Sequence, residues 1–262
     1  MTYEFITYCV AGQIVYVTIN RPQVMNALHA EANAEMRDAF TRFRDDDDAR
    51  VAILTGAGDR AFSAGNDLRA TAERARDRSA PRPAAPLGGI TSDFECDKPL
   101  IAAVNGYALG GGFEVALACD VIVAAESAHF GLPEPRVGLV AAAGGMHRLP
   151  RHVPLKIAMG LMLTGRQISA PEAARLGLVN EVVPQAELMA AAGRWAAQMR
   201  ECSPMSLRIT KQSVRAGLAL SVEDAMQADR ASGRLGELFG SQDAIEGPLA
   251  FAQKRPPQWK GR

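Results

Sequence analysis

The spacing of apolar residues changes along this chain, and the change divides it into two regions. In the first region, short β-branched or apolar runs predict strands at Ile14-Val-Tyr-Val-Thr-Ile19, Val51-Ala-Ile-Leu54, residues 100–104 and residues 121–124. Between the first two, residues 30–44 place Ala32, Met36, Ala39, Phe40 and Phe43 at helical spacing. Leu178-Val-Asn-Glu-Val-Val183 predicts a late strand, stopped by Pro184. Beyond it the period is helical throughout, over residues 185–199, 204–216, 221–239 and 242–254. Alternation followed by helices alone predicts an α/β core, residues 1–200, with a helical region at 201–262. No internal repeat of fixed period is visible.

Punctuation sharpens this outline. Ser169-Ala-Pro-Glu172 has the spacing of a capping box and predicts a short helix. The Asp45–Asp48 acidic run reads as a solvated connection. Residues 71–93 are rich in Ala, Arg and Pro, with Pro81-Arg-Pro-Ala-Ala-Pro86 in the middle, and predict a mobile surface loop.

Composition excludes more than it selects. Hydrophobic residues make up 48% and charged residues 22%, so the chain can form a core and is not of a disordered class. Net charge is zero, which argues against a nucleic-acid partner or an anionic membrane surface. Cys9, Cys96, Cys119 and Cys202 form no CxxC pair and read as reduced thiols. His29, His129, His147 and His152 lack metal-ligand spacing, so no metal is expected. With no signal segment and no run of 18 apolar residues, the expectation is a cytoplasmic protein without a membrane span.

The chemistry concentrates after the strand at 100–104. Gly110-Gly-Gly-Phe-Glu114 opens a helical segment. Glycines there let a ligand approach the backbone, while the first N–H groups of the helix face outward at its positive dipole end. Those donors suit an oxygen that becomes negative, and Glu114 lies beside them. The dinucleotide fingerprint fails because Ala108 stands where a glycine is required, and no Gly-Lys-Ser/Thr completes a phosphate loop. A purely structural close-packing turn is the competing reading. Ala61-Phe-Ser-Ala-Gly-Asn-Asp67 offers a further backbone N–H at Gly65-Asn66, against the reading of an ordinary turn. Ser63 is not in a nucleophile elbow. Glu134, held between Pro133 and Pro135, is a second carboxylate twenty residues after Glu114, so only the fold can pair them.

Together with Asn20-Arg-Pro-Gln-Val-Met-Asn-Ala-Leu28 and Leu163-Thr-Gly-Arg-Gln-Ile-Ser-Ala170, these segments resemble the crotonase superfamily of enoyl-CoA hydratases and isomerases over nearly the whole chain. The ending Phe-Ala-Gln-Lys-Arg-Pro-Pro-Gln-Trp-Lys-Gly-Arg262 is similar to the carnitinyl-CoA dehydratase branch. The resemblance implies an α/β spiral of ββα units and a C-terminal helical region that builds homotrimers or hexamers. It implies an enoyl-CoA hydratase or 3-hydroxyacyl-CoA dehydratase, with a double-bond isomerase, a carnitinyl-CoA dehydratase and a noncatalytic acyl-CoA- or RNA-binding member as alternatives. Glu114 and Glu134 match the catalytic glutamates, and the N–H groups of Asn66 and Gly111 match the oxyanion hole. Ala27, Ala64, Asp67, Leu68, Phe251 and Lys254 match positions that meet coenzyme A, which enters as part of the substrate rather than as a cofactor. One departure stands out: Ala142 occupies a position where hydratases carry a glycine that helps seat the catalytic water.

Overall fold

The computed structural model describes residues 2–76 and 84–262 and contains two compact units. The first comprises residues 1–94 and 100–194, the second residues 95–99 and 195–262.

The first unit opens with β1 (Ile6–Ala11), β2 (Ile14–Ile19) and α1 (Ala30–Asp45). Then a pattern recurs. A strand is followed by a three-residue strand and a helix: β3 (Val51–Gly56), β4 (Ala61–Ser63), α2 (Leu68–Arg76). It repeats as β5 (Leu100–Val104), β6 (Tyr107–Leu109), α3 (Gly111–Ala118). The third turn is β7 (Val121–Ala125), β8 (His129–Gly131), a 3-10 turn at Glu134–Val137 and α4 (Gly145–His152). After these come α5 (Leu155–Thr164), β9 (Gln167–Ser169), α6 (Ala170–Arg175), β10 (Glu181–Val183) and α7 (Leu188–Arg200), which spans the boundary between units.

One sheet has the order β1-β2-β3-β5-β7-β10, and four three-residue strands form another, β4-β6-β8-β9. This is the spiral of ββα units that the family resemblance implies. Strands β3, β5 and β7 are parallel and buried along their whole length, as their unbroken apolar runs require. Met36, Phe40 and Phe43 of α1 are wholly buried, each contributing about 1.5–3 kcal/mol by leaving water.

Several expectations are corrected. The strand at 178–183 shrinks to β10, because the Leu178 N–H closes the turn after α6 on the Ala173 carbonyl. The 3-10 turn at Gln185–Glu187 precedes α7. The glycine run does not follow β5 directly; β6 intervenes. The proline-rich middle of the expected surface loop lies partly in residues 77–83, outside the described residues. Its carboxyl half is no surface loop. Gly88, Gly89, Ile90 and Thr91 are buried, and the Gly88 N–H donates to the Asn33 side chain of α1 at 2.7 Å. The Ser169 hydroxyl caps α6 as its motif predicts, accepting from the Glu172 N–H.

In the second unit, α8 (Pro204–Gly217), α9 (Val222–Ala231) and α10 (Arg234–Phe239) pack on one another, and α11 (Gln242–Ala252) follows. The single helix predicted over 221–239 is broken at Gly233, which takes a left-handed conformation (φ 77°). Lys211, Gln212 and Arg215 of α8 hold residues 96–98 by hydrogen bonds. Asp243 is buried; it accepts from the Ser203 hydroxyl and the Lys260 N–H, each at 2.7 Å, and fixes the C-terminal segment. Among the described residues no helix is long and apolar enough to cross a membrane.

Candidate active site

Three short parallel strands lie side by side, β4 beside β6 and β6 beside β8. Their carboxyl ends lead to Ala64–Asn66, Gly110–Gly111 and Pro133–Glu134 respectively. Open α/β sheets gather ligands at such strand ends. Residues from three distant stretches are thereby delivered to one place.

The first two stretches supply N–H donors. Leu28 pairs with Asn66 in a parallel bridge, in which the Leu28 N–H reaches the Gly65 carbonyl at 2.7 Å. The Asp67 N–H returns to the Leu28 carbonyl at 2.9 Å. That pattern turns the Asn66 N–H to the opposite side. Gly111 is the first residue of α3, so its N–H has no acceptor within the helix. The two peptides nearly touch. A Cβ on Gly65 (φ 86°) would stand 2.5 Å from the Gly111 nitrogen, and one on Gly111 would stand 3.4 Å from the Asn66 nitrogen. Only glycine permits this approach.

The carboxylates flank the donors. Glu114 lies in the first turn of α3, almost fully buried, and its Oε1 accepts from the Gly145 N–H at the start of α4 at 2.8 Å. Burial pushes its carboxyl up to about 7, and the neighbouring Glu134 charge adds to the rise. The Gly145 and Ala143 N–H groups and Arg148 act in the opposite sense. Glu134 is half-buried, and burial raises its carboxyl as well. Its Oε2 is buried without a hydrogen-bond partner among the described residues, while Oε1 faces Gly110, where a Cβ would stand 3.1 Å away. A buried acceptor left unsatisfied is costly. The structure thus brings Glu114, Glu134, Asn66 and Gly111 to two adjoining loops.

The remaining residues from the sequence reading have surroundings of their own. Ala27 and Ala64 flank the Leu28–Asn66 bridge, and Leu68 is exposed at the start of α2. Asp67 pairs with Arg21 at 3.1 Å; burial raises its carboxyl, but the Ala70 N–H and Arg21 outweigh that and lower it. Phe251 and Lys254 belong to the second unit, with Phe251 largely exposed at the end of α11. The Ala142 N–H is taken by the Val140 carbonyl at 2.8 Å. Sequence reasoning missed Gly145, whose N–H holds Glu114; its signal is the glycine pair Gly144-Gly145. Among the described residues no cysteine is joined in a disulfide.

Comparison with known proteins agrees with this architecture. The family described as Enoyl-CoA hydratase/isomerase matches residues 10–262. The chain is 48% identical over 254 residues to the carnitinyl-CoA dehydratase of Escherichia coli (strain K12), covering 96% of each. Among solved structures, enoyl-CoA hydratase from Mycobacterium tuberculosis H37Rv superposes with a TM-score of 0.91 at 38% identity, covering 98% of this chain and 99% of that one. Enoyl-CoA hydratase from Bacillus anthracis gives a TM-score of 0.88 at 34% identity, covering 99% and 100%. With the ββα spiral, the paired donors and the two glutamates in place, the chain belongs to the enoyl-CoA hydratase/isomerase family.

Proposed function

We propose that the protein is a hydratase-type carbon–oxygen lyase that adds water to, or removes it from, the C2–C3 bond of an acyl-CoA thioester. The observation that carries this reading is the convergence of Glu114 and Glu134 on the two adjoining loops that bear the Asn66 and Gly111 N–H groups. The thioester oxygen accepts from both N–H groups, which stabilise it as it gains enolate charge; losing one such donor costs about 10²–10³ in rate.

In dehydration, the Glu134 carboxylate takes the C2 proton, and the C–H electron pair passes into the enolate. The C2–C3 double bond then forms as the C3–O bond breaks, and the hydroxyl leaves as water with the proton of Glu114. Hydration is the reverse. Each turnover moves one proton onto one glutamate and one off the other. A Glu114 carboxyl raised to about 7 keeps its proton at the pH where the leaving hydroxyl needs it. With the Ala142 N–H already bonded, the two glutamates hold the water.

The 48% identity to a carnitinyl-CoA dehydratase makes carnitinyl-CoA the first acyl group to test. Ala27, Ala64, Asp67, Leu68, Phe251 and Lys254 are the proposed contacts to coenzyme A, the last two donated by a neighbouring subunit of a homotrimer or hexamer. A cytoplasmic location fits this reading.

The test replaces each glutamate by glutamine and follows 2-enoyl-CoA absorbance and 18O uptake from labelled water. A fall of about 10²-fold or more in each variant is expected. Wild-type turnover in both overturns the assignment. Conversion without 18O uptake points to double-bond isomerisation.

A further inference from the structure

Ser63 is the last residue of β4, and its side chain is wholly buried. Its hydroxyl makes two bonds. It donates to the Asn26 carbonyl at 2.7 Å and accepts from the Gly65 N–H at 3.1 Å. With its proton committed to a carbonyl oxygen, which cannot act as a base, the hydroxyl is not an activated nucleophile.

What it grips is rigid. Asn26 is itself buried and left-handed (φ 54°). Its side-chain oxygen accepts from the Arg21 N–H at 3.0 Å. Its side-chain amide donates to the Ala57 carbonyl at 3.0 Å and the Ala61 carbonyl at 2.7 Å. What it controls is the turn from Ala64 to Asn66. On the other side of β4, a Cβ on Gly112 would collide with the Ser63 carbonyl, so the first turn of α3 rests directly on this residue. One residue therefore links a fixed anchor, through its hydroxyl, to the Gly65 N–H just before the Asn66 peptide, and meets Gly112, next to Gly111, through its carbonyl.

We propose that Ser63 is a positioning residue for the oxyanion site: its two hydrogen bonds set the Asn66 peptide at the spacing from Gly111 that one shared oxygen requires. This rests on the lyase reading above and adds to it a side chain that touches neither substrate nor the glutamates. Removing the hydroxyl leaves the buried Gly65 N–H and the Asn26 carbonyl unpaired, and the turn relaxes to satisfy them. The damage falls on the transition state, where the oxygen is most negative, rather than on substrate binding.

The experiment uses the full chain with Ser63→Ala and Ser63→Cys. Crotonyl-CoA serves as the substrate probe, and acetyl-CoA with a 13C-labelled carbonyl as the bound probe for infrared spectroscopy. The expected result for Ser63→Ala is a kcat lower by about 10–10² with KM within about threefold, since the donor is displaced rather than deleted. The bound carbonyl stretch moves back towards its value in free solution. Ser63→Cys preserves the shape with a weaker donor and acceptor and falls between the two; it decides the matter alone if the alanine variant does not fold. A wild-type carbonyl shift in the variants, with or without a loss of kcat, overturns the proposal. If the wild-type protein itself shows no carbonyl shift on binding, the oxyanion reading fails first.

Discussion

The two units bury their side chains in different ways. In the first, three strands are buried from end to end, and the polar groups sealed inside with them, among them Asn26, Ser63, Asn105 and Glu114, are tied to the turns and the site. In the second, only a few apolar side chains such as Ile209 and Ala250 are buried, while Leu218, Val222, Phe239, Ile245 and Phe251 stay exposed. Its internal fixings are polar: Asp243 holds the end of the chain, and Glu246 grips Arg255 through both guanidinium nitrogens. A unit that covers its own core can spend buried polar groups on chemistry. The homotrimer or hexamer proposed above would cover the apolar surface that the second unit leaves open.

Four experiments break or sharpen this contrast. Gly112→Ala drives a Cβ into the Ser63 carbonyl and pushes α3 away from β4. A loss of about 10²–10³ in kcat is expected, because both donors move; steady-state kinetics checks it. In the second unit, Leu218→Asp combined with Val222→Asp charges the exposed apolar face of α8 and α9. Sedimentation velocity at micromolar concentration should show a monomer in place of the proposed oligomer, and an unchanged profile removes this face from the proposed subunit contact.

Asp243→Ala is next in size. It strips a buried carboxylate from the Ser203 hydroxyl and the Lys260 and Gly261 N–H groups, costing about 2–4 kcal/mol in chemical denaturation. The smallest effect runs the other way. Glu114 has a folded pKa raised from 4.5 to about 7, so the folded protein binds its proton more tightly than the unfolded chain does. Stability from this group is full below 4.5 and is lost as pH rises towards about 7. Glu114→Gln should therefore stabilise the protein by roughly 1–3 kcal/mol at pH 8, and the gain should vanish by about pH 4. A gain independent of pH contradicts the assignment of the raised carboxyl.

Much of the fold was legible in the sequence, and some of it was hidden for reasons that can be named. Strands β3, β5 and β7 announce themselves because burial on both faces demands unbroken apolar runs. Strands β4, β6, β8 and β9 escaped, since three residues are too few to show a period of two. With them went the ββα repeat, which is a repeat of geometry and not of sequence. The buried segment around Gly88 and Gly89 was mistaken for surface because its glycines pack against the backbone of α1 and the side chain of Val115, a role that local composition does not advertise.

By itself the sequence determined which groups are present: two carboxylates, glycines where backbones must meet, and apolar runs long enough to close a core. Only the tertiary structure decided that they act together. Glu114 and Glu134 lie on different elements, and it is the parallel pairing of β4, β6 and β8 that sets Asn66, Gly111 and Glu134 side by side. The raised Glu114 carboxyl belongs to the fold alone. It comes from lost water and a nearby like charge, and neither exists until the chain has closed around them.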